Sequence, residues 1–239
     1  YLGYEYACCF DQIISSENFK RYASVFTGIY TNMTINRLID IANLRHEIAI
    51  AAARMIAEEG TSYEVAKRKA ARQILGNSRI TGEILPDNMS IEKEVKLYNE
   101  LFLADSQPAR LLHLRTLSLK LMQELEEFNP YITGAILNGT GGEHSDIHIQ
   151  LFTDNVKDVE IFLLNRNIDF DVSELPHFRG KGHTIETIHF MWHNEIAHLS
   201  VYESDDIRNS GKLFGANFVR TDIDGLQRLI IQSVPSENE

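Results

Sequence analysis

Cysteine is nearly absent from this chain: among 239 residues the only two are the neighbours Cys8 and Cys9. Adjacent cysteines rarely bridge. With no Cys-x-x-Cys spacing anywhere, disulfide scaffolds and cysteine zinc fingers are excluded. A reducing, cytoplasmic setting is the expectation. Basic charge is also short, with 23 Lys and Arg against 34 Asp and Glu and a net charge of −11. That balance excludes a protein gripping long nucleic acid over its whole surface. No apolar run approaches the roughly 20 residues of a membrane span, so a soluble protein without a membrane partner is expected. The first residues lack the basic start, apolar centre and small-residue cleavage site of a signal peptide. Missing too are a Gly-x-Ser-x-Gly elbow and a Rossmann glycine pattern behind a strand.

What is present suffices for a core, because 44% of the residues are hydrophobic. The length allows one large domain or two small ones. Residues 1–32 stand apart, with five of the nine tyrosines, both cysteines and no periodic pattern. They read as an extension upstream of the working domain, which then starts near Met33, or as an aromatic-rich element packed on it.

A helical region is expected over 33–104. Residues 46–59 are rich in strong helix formers and stop at Gly60, a favoured terminator. Thr61 and Glu64 form a capping-box pattern for a second helix ending at Gly76. A polar loop with Gly82, Pro86 and Asp87 precedes a shorter helix near 91–103. The clearest helix is 107–128. Pro108 follows Asp105-Ser106, and Leu111, Leu114, Leu117, Leu121, Leu125 and Phe128 recur at steps of three and four.

From 105 to 239 the pattern turns to α/β (α+β), a mixed sheet with packed helices. Residues 131–137 and 146–152 read as strands, 156–167 as a helix and 169–173 as a short extended piece. Residues 185–193 and 196–203 read as a hairpin joined at Asn194-Glu195. Thr221, with Asp224, caps a last helix through about 232. In 146–152, Asp146, His148 and Gln150 share one face and Ile147, Ile149 and Leu151 the other.

The turn between the first two strands, "LNGTGGEHSDIHIQLF" (137–152), is glycine-rich, as a phosphate-binding turn would be. With the helix before it, this stretch resembles the nucleotidyltransferase superfamily named after DNA polymerase beta, over roughly 107–203. The resemblance implies a nucleoside triphosphate as substrate and transfer of its nucleoside monophosphate with Mg2+ (or Mn2+). By position it implies Gly139 and Thr140, with Gly141 and Ser145 beside them, as phosphate contacts. It makes Asp146 the first metal ligand, and so a catalytic residue. His148 stands where the family has a second acid, as a replacement ligand or proton acceptor, and the later strand offers no acid before Glu203. Magnesium prefers hard oxygen ligands, and two close ions need several carboxylates. A catalytically inactive nucleotide- or partner-binding module of the same fold is the alternative. Residues 52–76 are also similar to chains described as UDP-N-acetylmuramate–alanine ligases. Such an enzyme resembles a longer three-domain protein with Gly-Lys-Ser or Gly-Lys-Thr in its ATP loop, a tripeptide this sequence lacks.

Seven of the nine histidines fall between His144 and His198. His148 and His198, facing each other across neighbouring strands, would make with Asp146 a metal-binding set of nitrogen and oxygen; the ordinary reading is histidines filling half-buried polar positions. Arg179 and Lys181, among glycines, are candidates for holding a nucleotide phosphate; the ordinary reading is a solvated connection. Lys67, Arg68, Lys69 and Arg72 form the one basic run that would meet nucleic acid; the ordinary reading is a solvated helix face. Asp205-Asp206 read as a turn or helix start, and Trp192 as core.

Overall fold

The computed structural model describes residues 40–76, 80–176, 182–207 and 219–233. Residues 1–32, Arg179 and Lys181 lie outside them. Residues 40–59 form helix α1, followed by α2 (Tyr63–Leu75) and α3 (Asn88–Phe102). Their seam is made largely of alanines, Ala49, Ala52, Ala53, Ala66, Ala70 and Ala71, with Ile48, Ile91 and Val95. Small side chains there let strong helix formers approach closely. The expected capping box is not formed. Ser62 holds the N-cap position without a side-chain bond, and the Thr61 hydroxyl donates to Glu59 instead. Helix α3 starts three residues earlier than expected because Asp87 accepts the Ser90 N–H at 2.7 Å.

Helix α4 (Gln107–Glu124) gives way to a 3-10 turn over Glu126–Phe128, closed by Asn129 at φ 50°. The expected helix to 128 is thus two pieces. The leucine stripe is where periodicity put it: Leu114, Leu117, Leu121 and Leu125 are buried with Phe128 against the sheet.

The sheet comprises β1 (Tyr131–Thr133), β2 (Ile147–Phe152), β3 (Phe170–Pro176), β4 (Thr184–Trp192), β5 (Glu195–Tyr202) and β6 (Arg220–Thr221). Their order is β3-β4-β5-β2-β1-β6. Only β2 and β5 run parallel; every other pair is antiparallel. The expected strand 131–137 stops at Thr133 and continues as the short helix α5 (Gly134–Asn138). Gly134, at φ 74°, turns the chain there. The apolar run Ala135-Ile136-Leu137 reads equally as strand or buried helix, and Ile136 and Leu137 enter the same core.

Helix α6 (Val156–Asn165) is capped by Asn155. The β4–β5 turn consists of His193 and Asn194, both left-handed at φ 50° and 68°, as two-residue hairpins favour. It lies one residue earlier than expected. Helix α7 (Ile223–Ser233) is capped by Asp222, which accepts the Gly225 N–H at 2.9 Å. Thr221, expected as the cap, belongs to β6.

The main core lies on one face of the sheet, and a smaller cluster of Phe152, Ile185 and Tyr202 lies on the other. Ile132, Ile147, Ile149, Leu151, Ile188 and Leu199 meet the stripe of α4, Val159 and Leu163 of α6, and Leu226 of α7. The three-helix region is tied to the segment before β2. Asn138 donates to Glu92 at 2.8 Å and Asn99 to the Thr140 carbonyl at 3.5 Å. Gly60 abuts His144, where an added Cβ would come within 2.4 Å of the histidine Cβ. No helix among the described residues is long and apolar enough to cross a membrane.

Candidate metal centre

The strand period that sends isoleucines and leucines to the core sends a polar row to the opposite face. In register across five strands run Thr133, His148, His198, His189 and Asp171. Because β2 and β5 are parallel neighbours, His148 and His198 face each other. Their rings stack with centroids 4.6 Å apart and planes 11° from parallel. Asp146 stands one residue before β2, and its Oδ2 lies 3.0 Å from His198 Nε2. Each of Asp146, His148 and His198 offers a ligand atom, all within 4.8 Å of one another.

His148 is the most open of the three, yet the inner side of its ring is crowded. Burial there, reinforced by His198, pushes its pKa from 6.5 down to about 4. Asp146 opposes the shift and His189 adds to it. At neutral pH the ring is therefore uncharged, with a lone pair free for a metal. A base this weak is poorly matched to taking a proton at neutral pH. The ligand role fits His148 better than that of proton acceptor.

No protein-family model, curated protein or solved structure matches the chain. The cluster itself must carry the functional reading. One carboxylate and two imidazoles do not suit Mg2+, which takes oxygen ligands and holds its waters. The same set suits transition ions such as Zn2+ or Fe2+. Among the described residues, this is the group of three or more His, Cys, Asp or Glu side chains placed to hold one ion.

The glycine turn is built differently from expectation. Five of its backbone donors are engaged within the protein: Gly139 N and Gly141 N both reach the Ala135 carbonyl, at 3.1 and 2.9 Å. Thr140 N reaches Asn138 Oδ1 at 3.1 Å and Gly142 N reaches Ser145 Oγ at 2.9 Å. The Ser145 N–H closes the turn on the Gly142 carbonyl at 3.2 Å. The Thr140 hydroxyl also bonds Asn138, and the Gln107 amide holds the carbonyls of Gly139 and Gly141. The turn packs on α4, where a Cβ at Gly141 would press Leu111 at 3.1 Å. The N–H groups of Gly139, Thr140, Gly141 and Ser145, expected as phosphate contacts, thus all have partners within the protein. Gly134 is the glycine beside the cluster, with a built Cβ 3.8 Å from His148.

Two of the four cations in the basic run, Arg68 and Lys69, are paired with acids at the surface. Lys67 donates to Asn88, Lys69 pairs with Glu59 and Arg68 with Glu64. Asp206 is fully buried where a helix begins after β5, and Trp192 Nε1 donates to the Leu117 carbonyl at 3.3 Å.

Two residues join the cluster that sequence reasoning did not assign to it. His189 Nδ1 lies 2.5 Å from His198 Nδ1, and His189 Nε2 lies 2.5 Å from Ser173 Oγ. Burial, with help from His198, lowers the His189 pKa. The signal was hairpin register: the turn at His193-Asn194 pairs His189 with His198. A turn one residue later would have paired His198 with Met191.

Proposed function

We propose that this chain is a nucleotidyltransferase-like protein that engages the phosphates of a nucleoside triphosphate through one divalent ion, held by Asp146, His148 and His198. The observation that carries this reading is the convergence of those three side chains on the sheet face left uncovered by α4, α6 and α7. The ion is a transition metal rather than magnesium, because two of the three donors are imidazoles. The protein supplies fixed donors on two adjacent strands, a small residue beside them at Gly134, and a neutral His148. The ion, when bound, supplies positive charge for the phosphates.

Retention of the nucleotide without fast turnover is favoured by one feature. The cluster holds a single carboxylate, and a two-metal clamp needs several. Transfer of the nucleoside monophosphate to a hydroxyl or phosphate acceptor is the second reading, resting on the resemblance of the β1–β2 segment.

Labelled nucleoside triphosphates with Mn2+ or Zn2+ test both. Metal-dependent binding should weaken at least about tenfold in Asp146→Ala, with little pyrophosphate formed by the parent chain. Pyrophosphate release that disappears in Asp146→Ala would favour the transferase. Binding that ignores both the metal and Asp146 would refute the site.

A further inference from the structure

We propose that His189, anchored by Ser173, is the positioning residue that decides which nitrogen His198 presents to the ion. The proposal rests on the metal reading above and adds to it the row of contacts leading away from the ion.

Four groups make a continuous chain: Asp146 Oδ2 to His198 Nε2 at 3.0 Å, His198 Nδ1 to His189 Nδ1 at 2.5 Å, and His189 Nε2 to Ser173 Oγ at 2.5 Å. Two ring nitrogens facing each other at hydrogen-bond distance require that one carry a proton and the other a lone pair. Without metal, the Asp146 carboxylate accepts the His198 Nε2–H. His198 Nδ1 is then bare and accepts the His189 Nδ1–H, leaving His189 Nε2 to accept the Ser173 hydroxyl. Every donor meets an acceptor.

An ion bound with Asp146 takes the lone pair of His198 Nε2, the nitrogen that lies nearest the carboxylate. The proton must then reside on Nδ1. His198 Nδ1–H donates to His189 Nδ1, His189 carries its proton on Nε2, and the Ser173 oxygen accepts it. The number of protons on the two rings is unchanged; only their positions move, and Ser173 turns its hydroxyl proton outward. Both arrangements satisfy the chain, and in each His198 has one way to point. Nitrogen ligands held this way by an outer partner typically lose 10–100-fold in metal affinity when that partner is removed.

The test uses the full chain with Zn2+ as the probe and chelator competition as the affinity readout. His189→Phe, which fills the space but has no acceptor, should weaken zinc binding by about 10–100-fold. His189→Asn, whose amide oxygen replaces the Nδ1 lone pair, should stay within about threefold of the parent. Ser173→Ala should fall between them. Circular dichroism of each variant checks that it folds, and the asparagine variant keeps the test open if the phenylalanine one does not. Nitrogen-15 histidine spectra give a signature that a merely structural role would not move. His189 should be protonated on Nδ1 in the metal-free chain and on Nε2 after zinc is added. Equal zinc affinity in the parent and in His189→Phe, or an unmoved His189 tautomer on zinc binding, overturns this inference and leaves the metal site standing. A parent chain that binds no zinc sinks the metal reading. The metal-free spectrum then still judges the chain of contacts, and a bare His189 Nδ1 there would refute it.

Discussion

Replacing Glu195 with alanine should weaken the whole fold by an amount the structure sets. Glu195 opens β5, three residues before His198, and both its oxygens are held by Arg110 of α4 at 2.5 and 2.7 Å. The two side chains are only 19% and 15% exposed. The hydrogen bond to Glu195 raises the Arg110 pKa above its usual value, as expected of a cation in a close pair. A hydrogen bond to a charged group contributes about 1.5–3 kcal/mol. Breaking a fully buried pair costs about 3–5 kcal/mol. Partial solvent access lowers the second figure, so Glu195→Ala should lose about 2–3 kcal/mol. Arg110 gains little elsewhere. It keeps its Nη2 bond to the Glu143 carbonyl at 3.1 Å, but its Nε lacks a hydrogen-bond partner and the exposed Glu143 carboxylate is 3.6 Å from it. For a chain of this size the loss corresponds to a drop in Tm of about 5–10 °C. Urea unfolding followed by tryptophan fluorescence reads it, since Trp192 lies in the same hairpin. The double variant Arg110→Met with Glu195→Leu should recover at least about 1 kcal/mol, because it leaves no orphaned charge. A Glu195→Ala midpoint within about 0.5 kcal/mol of the parent would refute the reasoning.

Acid should also destabilise the chain through His148. Its folded pKa of about 4 lies below the ordinary 6.5, so between those values the unfolded chain binds a proton that the folded one refuses. Stability from this group is flat above pH 6.5 and falls as pH drops toward about 4. His148→Gln should flatten that part of the profile, only in part because the ring is partly open to water; urea midpoints at about pH 7, 6 and 5 check it, and an unchanged slope counts against the assignment. Gly60→Ala should lose about 2–4 kcal/mol, because φ is 65° and the new Cβ would meet His144 at 2.4 Å. Thermal unfolding measures this, and a loss below about 1 kcal/mol would show that the contact gives way freely.

Much of the fold was legible because it is written in period. The α4 stripe, the alternation around Asp146 and His148, and the hairpin all follow from spacings of three, four and two residues. What escaped depends on backbone geometry a sequence does not display. Gly134 bends the chain out of β1 into a helical turn, so one apolar run became two elements. Thr61 and Thr221 have capping chemistry, but Ser62 and Asp222 occupy the cap positions. The candidate cluster was legible in its three side chains, since Asp146 and His148 are two apart on one strand face and His198 lies on the neighbouring strand. Its extension to His189 and Ser173 hung on a turn placed one residue off. The internal bonding of the glycine turn escaped for a different reason: composition shows that amides are present, not which partners they meet.

The contacts of Asn138 with Glu92, Asn99 with Thr140, and Gly60 with His144 have a mechanical meaning. They make the helical bundle a buttress under the loop that launches Asp146. A protein trimmed to its sheet half would strand those partners and release the loop from its footing. The helical region and the sheet, distinct in sequence character, meet at this loop, through Glu92 and Asn99 of α3 and Gly60.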